Sequence, residues 1–241
     1  MRWHLTYAAA ILFATTGMAT AQTSLRVQPL SVEAIGPSQA SSVTLKNNGS
    51  NEIAIQLRVF EWTQVNGEDK LTPTTDVVAS PPVTRIPGGG SYTVRVARTA
   101  GAVSTGEKSY RLWVDELPLA TPSRQDGAEV DVRLRYDLPV FFHGPTTRSK
   151  LGWRAYRSGG NIIVEASNTG TQRARITGLK LAGPNGDVSL GEGLNGYVLA
   201  GSVKRWTAPA TGLPDTASAK VSVVAGVSGS EVRQPITITR Q

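Results

Sequence analysis

From Glu129 to Leu138 the chain alternates without a break, and the even row stays apolar as far as Phe142 while the odd row turns to Pro139 and Phe141. Val130, Val132, Leu134, Tyr136, Leu138, Val140 and Phe142 are apolar or aromatic, and Glu129, Asp131, Arg133, Arg135 and Asp137 between them are charged. A period of two places successive side chains on opposite faces, so this stretch is a strand with one apolar and one polar face. It is more than twice the roughly 5–6 residues of an ordinary strand. Pro139, which cannot donate to a ladder, sits near its end.

The remainder of the chain repeats the same period in shorter runs. "SSVTLKNNGS" is a strand closing on an Asn-Gly turn signal, and "QVNGEDKL" places Asn66-Gly67 between two strands as a two-residue hairpin. "EIAIQLRVFEW" carries Ile53, Ile55, Leu57 and Val59 on one face, then shifts phase to Phe60 and Trp62, which predicts a bulge. Strands spaced at about 8–12 residues, with turn signals between them and almost no helical periodicity, predict β-sandwich architecture. A second set of strands follows "HGPTTRSK". The expected fold is all-β, with two immunoglobulin-sized sandwich domains meeting between His143 and Lys150.

The first residues, "MRWHLTYAAAILFATTGMATAQT", have a thin basic start, an apolar stretch and a small-x-small site at Ala19-Thr20-Ala21. That is the layout of a secretory leader, so cleavage after Ala21 is expected, leaving 22–144 and 145–241 as the two domains. The apolar run is below the ~20 residues of a spanning helix, and no stable membrane insertion is expected. There is no cysteine, which rules out a disulfide framework and a thiolate metal site. The formal charge of +7 is spread along the chain with acids close by, unlike a nucleic-acid-binding arm.

Catalytic and metal-binding residues are expected to be absent, and no cofactor is implied. His143 is the one histidine beyond the leader, and no nucleophile elbow lies near it. "GAVSTGEKS" nearly matches a phosphate-binding loop, but Glu107 interrupts the Gly-Lys-Ser sequence and the following "YRLWVDELP" is a strand. Function must therefore reside in a surface. Long apolar edges template aggregation unless they are covered or serve to pair with another chain. On pattern alone the Glu129–Phe142 strand is either a strand lent to a partner or a central strand overrunning into a linker.

"SPPVTRIPGGGSYTVRV", "SYRLWVDELP", "RLRYDLPVFFHGP" and "ASNTGTQRARI" together resemble the periplasmic pilus (fimbrial) chaperones. "YVLAGSVKRW" and the "ELP…LPVFF" spacing are most similar to the branch serving spore-coat-U-like subunits. The resemblance implies two immunoglobulin-like domains in an L or boomerang arrangement, located in the periplasm. It implies a partner as well: pilus subunits whose own fold lacks a strand, completed by donor-strand complementation and delivered to an outer-membrane usher. Val130, Val132, Leu134 and Tyr136 then match the donor side chains, and Glu116 in "DELP" matches an interdomain hinge carboxylate.

Two positions depart from the family pattern. Leu30 and Leu138 or Val140 stand where relatives carry the basic residues that hold the subunit's C-terminal carboxylate, which leaves Arg111, Arg133 and Arg135 as candidate anchors. Gly144 stands where relatives carry the basic partner of the hinge carboxylate. A two-domain structural or adhesive pilus component is the alternative reading, and an exposed donor edge would also give the free protein a route to self-association.

Overall fold

The computed structural model describes residues 25–118, 133–214 and 219–240. The expected leader, with Val130 and Val132, lies outside the described residues. Every regular element among those described is a strand, and no helix is long and apolar enough to cross a membrane.

The first ten strands are β1 (Leu25–Gln28), β2 (Val32–Ile35), β3 (Ala40–Asn47), β4 (Ile53–Val65), β5 (Glu68–Pro73), β6 (Val77–Ser80), β7 (Val83–Ile86), β8 (Ser91–Arg98), β9 (Glu107–Leu117) and β10 (Arg135–His143). They form a sandwich. One sheet has the order β1-β3-β8-β6, and the other runs β2-β10-β9-β4-β5 with β7 on β4. The inward row of β10, Leu138, Val140 and Phe142, meets Leu25, Val43, Val94, Tyr110 and Leu112 in one core. Phe142 and Tyr110 meet edge to face at 6.0 Å. The period-two pattern thus decides which side of each strand is buried.

The second group comprises β11 (Leu151–Ser158), β12 (Asn161–Asn168), β13 (Ala174–Gly183), β14 (Gly186–Ser189), β15 (Leu194–Val198), β16 (Val203–Pro209), β17 (Lys220–Val227) and β18 (Ser230–Arg240). Its path is β14-β13-β17-β18-β11-β12-β16, with β15 on β13. β18 pairs antiparallel with β17, then parallel with β11 from Ile238 onward, and so ties both layers around a separate core. The same device appears at the other end of the chain. β1 lies in one sheet on β3, while β2 lies in the other, parallel to β10.

A buried asparagine closes the equivalent turn in each sandwich. Asn47 donates to the carbonyls of Asn51 (2.7 Å) and Ile86 (3.0 Å) and accepts from Gly49 N–H (2.9 Å). Asn168 donates to Gln172 O (2.7 Å) and Val198 O (3.0 Å) and accepts from Gly170 N–H (3.0 Å). Each amide replaces backbone pairing that a buried turn would otherwise lose.

The bulge expected at Phe60 is absent. β4 pairs with β9 in unbroken register from Ala54 to Glu61, and the apolar residues change face because the strand has a second buried side. Ile53, Ile55 and Leu57 point into the first core, whereas Trp62 points outward into a cluster with Phe141 of β10 and with Tyr197 and Leu199 from the facing sandwich. The Asn66-Gly67 hairpin forms as expected. Both residues have positive φ, 55° and 87°, which is the twist that a two-residue turn needs between Val65 and Glu68.

Candidate functional site

β10 is flanked by β9 along its whole length, but by β2 only from Val140 to His143. Among the described residues no strand covers its outer edge from Arg135 to Pro139, so that side of the backbone is open for pairing. Leu134, just before it, accepts from Glu116 N–H at 3.1 Å and extends the ladder with β9. Tyr136 packs against the first core, and its hydroxyl donates to Leu25 O at 2.6 Å, tying β10 to the edge of the opposite sheet. The open edge therefore lies along the margin where the sandwich changes sheets between β1 and β2.

This edge continues into a cleft of about 810 Å³ lined by Leu30, Tyr136, Leu138 and Pro139 from the first sandwich and by Arg175, Leu194 and Tyr197 from the second. Arg111 of β9 also lines it. Its guanidinium lies 3.8 Å from the centroid of the Trp62 ring and 3.6 Å from Asp137 Oδ1. Of the three candidate cations Arg111 alone lies in the cleft. Arg135 ion-pairs with Asp115 and stacks over Trp113 at 4.2 Å. Arg133 lines a smaller groove with Arg58, Glu116 and Leu134.

Asp115 is held by two arginines, Arg135 and Arg58, the latter at 2.7 Å. Burial alone would raise its carboxyl, but hydrogen bonds from both guanidiniums bring it below the usual carboxylate range. The cations along this face are thus fixed by acids and aromatic rings.

Glu116 lies away from the hinge. It pairs with Ile55, its surroundings belong to the first sandwich, and its Oε2 has no hydrogen-bond partner. The carboxylate at the junction is Glu107, at the opposite end of the same strand. Its side chain is fully buried, accepts from Arg173 N–H at 3.0 Å and ion-pairs with the Arg173 guanidinium. Arg173 also ion-pairs with Glu33 of β2 and covers the Phe141 ring at 3.5 Å. Glu107 has no partner in its own neighbourhood of sequence, so only the tertiary approach of "TQRARI" reveals it. The glycine at 144 has a steric cause: a Cβ there would lie 2.3 Å from Ser104 O.

A second contact fixes the two walls of the cleft. The Gln64 amide donates to Tyr197 O at 2.7 Å and accepts from Leu199 N–H at 2.9 Å, as a strand neighbour would. Asp69 accepts from Lys204 at 2.9 Å, and the Arg205 guanidinium donates to Asn66 O at 2.9 Å. Arg205 is positioned in turn by Glu165, which also binds Arg154. The Arg154 bond, with that of Arg205, holds the Glu165 carboxyl below its ordinary value despite burial.

A depressed carboxyl contributes stability that is complete above the unfolded pKa of about 4.3 and is lost as pH falls through the folded value. The urea midpoint of the wild type should therefore fall on acidification below about pH 4.3. The gap between wild type and Glu165→Gln should shrink over the same interval. A gap constant from pH 7 to pH 3 would refute the assignment.

Residues 24–147 match the family described as pili and flagellar-assembly chaperone, PapD N-terminal domain. No curated protein matches the chain in sequence. Among solved structures, a chain of the CsuC–CsuE chaperone–tip adhesion subunit complex of Acinetobacter baumannii archaic Csu pili aligns at 24% identity. The TM-score is 0.67, covering 91% of this chain and 100% of that one. A chain of the Salmonella enterica SafA pilin–SafB chaperone complex aligns at 14% identity and TM-score 0.59, covering 91% and 97%. The Pseudomonas aeruginosa CupB2 chaperone aligns at 17% identity and TM-score 0.56, covering 87% and 98%.

Proposed function

The chain belongs to the pili and flagellar-assembly chaperone family, and on that premise we propose that it is a periplasmic chaperone completing pilus subunits by lending them a strand. The single observation that supports this reading most is the continuity between the open edge of β10 and the cleft holding Arg111. An incomplete subunit pairs with the open edge through main-chain bonds, and alternate side chains enter its groove. On this reading residues 1–21 are a leader, 22–144 carry the donor edge and 145–241 form the second wall of the cleft.

Val130, Val132 and Leu134 insert as donors, with Tyr136 at the base of the groove. Each buried side chain contributes about 1.5–3 kcal/mol. Arg111 receives the subunit's terminal carboxylate, and Arg133 and Arg135 steady the strand behind it. The loaded subunit then passes to an outer-membrane usher.

Coexpression with a candidate pilin in the periplasm tests the proposal. Wild type should yield soluble copurifying pilin. The double variant Val132→Asp with Leu134→Asp, with unchanged circular dichroism, should yield at least ten-fold less, because two charges would enter an apolar groove. Equal recovery with both would exclude strand lending.

A further inference from the structure

The segment "YVLAGSVKRW" of the second sandwich receives the β4–β5 hairpin from Tyr197 to Arg205, and one carboxylate organises the contact. Asp69 of β5 accepts from three donors: the Trp62 indole N–H at 3.1 Å, the Gln64 amide at 2.8 Å and the Lys204 ammonium at 2.9 Å. Two of them are side chains of β4 that reach the facing sandwich, and the third belongs to that sandwich. The Gln64 amide is used in full, since it also donates to Tyr197 O and its oxygen takes the Leu199 N–H. Burial would raise the Asp69 carboxyl, but hydrogen bonds from Gln64 and Lys204 bring it below the usual carboxylate range, so its charge persists.

The hairpin tip makes a different kind of contact. Among the described residues β16 has a neighbouring strand, β12, on one side only. On its other side Gly67 pairs with Lys204 as a single parallel bridge. The Arg205 N–H donates to Gly67 O at 3.4 Å, and the Arg205 guanidinium donates to Asn66 O at 2.9 Å. The tip thus stands where the next strand of that sheet would stand. Open strand edges invite pairing with other chains, and covering the edge with a loop blunts it. Gly67 is suited to the place twice over: its φ is 87°, and a Cβ there would lie 2.9 Å from Arg205 Cγ.

We propose that the β4–β5 hairpin is a strap, pinned by Asp69, that sets the width of the interdomain cleft and at the same time shields the edge of β16. Tyr197, whose carbonyl Gln64 holds, is also a wall residue of the cleft, so a shift of the strap shifts that wall. The Glu107–Arg173 pair ties β9 to the residue before β13, whereas the strap is the contact that reaches β15 and β16. Loss of the pin frees the wall and the edge together, and that coupling distinguishes a strap from two independent contacts. Neither effect involves a pilin, so the strap stands or falls apart from the function proposed above.

The test uses the full chain. It has no cysteine, so Thr44→Cys and Thr237→Cys place one spin label on an exposed strand position of each sandwich. Double electron–electron resonance should report a narrow distance distribution with the strap intact and a broad one in Asp69→Ala and in Gly67→Ala. Hydrogen exchange at the Arg205 amide should quicken by about ten-fold or more in both, with the Asn47 amide of the first sandwich unchanged. Lys204→Ala releases the pin from the other side with the hairpin untouched and should reproduce both changes. Lys70→Ala, on the opposite face of β5, should produce neither. A narrow distribution in every variant would leave the angle to Glu107 and Arg173 and overturn the proposal. Broadening with an unmoved Arg205 amide, or quicker exchange at a fixed distance, would uncouple cleft from edge and overturn it as well.

Discussion

Arg173→Ala should destabilise the protein by about 3–5 kcal/mol, the range for stranding one member of a buried ion pair. The Glu107 side chain has no exposure, and Arg173 supplies both a guanidinium and a backbone N–H to it. Burial already pushes the Glu107 carboxyl above its usual range, although Arg173 opposes the shift. Without the arginine that rise grows.

The pH dependence follows from the sign. A carboxyl with a raised folded pKa imposes no penalty below the unfolded value of about 4.3, and its full penalty once pH exceeds the folded value. The deficit of Arg173→Ala should therefore be largest near pH 8 and shrink toward pH 4. Adding Glu107→Gln should recover part of it at neutral pH, because the buried charge is gone. Urea melts at pH 4, 6 and 8 check both statements, and a pH-independent deficit would show that packing over Phe141 is what was lost. Arg173 also holds Glu33 on β2, the strand that covers the inner part of β10, so its loss should widen the open edge toward Val140.

Phe141→Ala should cost about 3–5 kcal/mol, as for other buried phenylalanines. Its effect should be confined to the contact between sandwiches. The ring lies 6.0 Å from Trp62 and 5.5 Å from Tyr197, outside both main cores. Calorimetry should show one wild-type transition resolving into two, and small-angle scattering should report a larger radius of gyration. A single, uniformly lowered transition would mean that the ring supports the first sandwich instead. Phe142→Ala, one residue along and facing the first core, provides the contrast.

These neighbouring phenylalanines also show what was legible in the sequence. Alternation identified the inward row Leu138, Val140 and Phe142, and Asn66-Gly67 identified its hairpin, because both signals are local. Phe141 and Trp62 broke the alternation. Their burial comes from Tyr197 and Leu199, 56 or more residues further along the chain, so at Trp62 the phase shift alone predicts a bulge.

The resemblance placed Arg111 in the candidate set, and the cleft geometry distinguishes it from Arg133 and Arg135 by position. The resemblance attaches the hinge carboxylate to Glu116 through its motif, whereas the buried pair uses Glu107, which in sequence is only the residue interrupting a near phosphate loop. Arg175 had no signal of its own. An arginine in "RARITG" is ordinary on a solvent-facing strand, and only the facing wall puts it on a cleft.

The bond from the Tyr136 hydroxyl to Leu25 O joins residues 111 apart, and β2 likewise finds its partner only at β10. β1 can pair with β3 at once, but β2 has no place in its sheet until nearly the whole first half has emerged. Contacts of such long range fold slowly, because loop closure comes before its reward. The first sandwich therefore stays open until its last edge strand arrives, and its own topology sets that order. The strand proposed for lending is also the one whose arrival completes the lender.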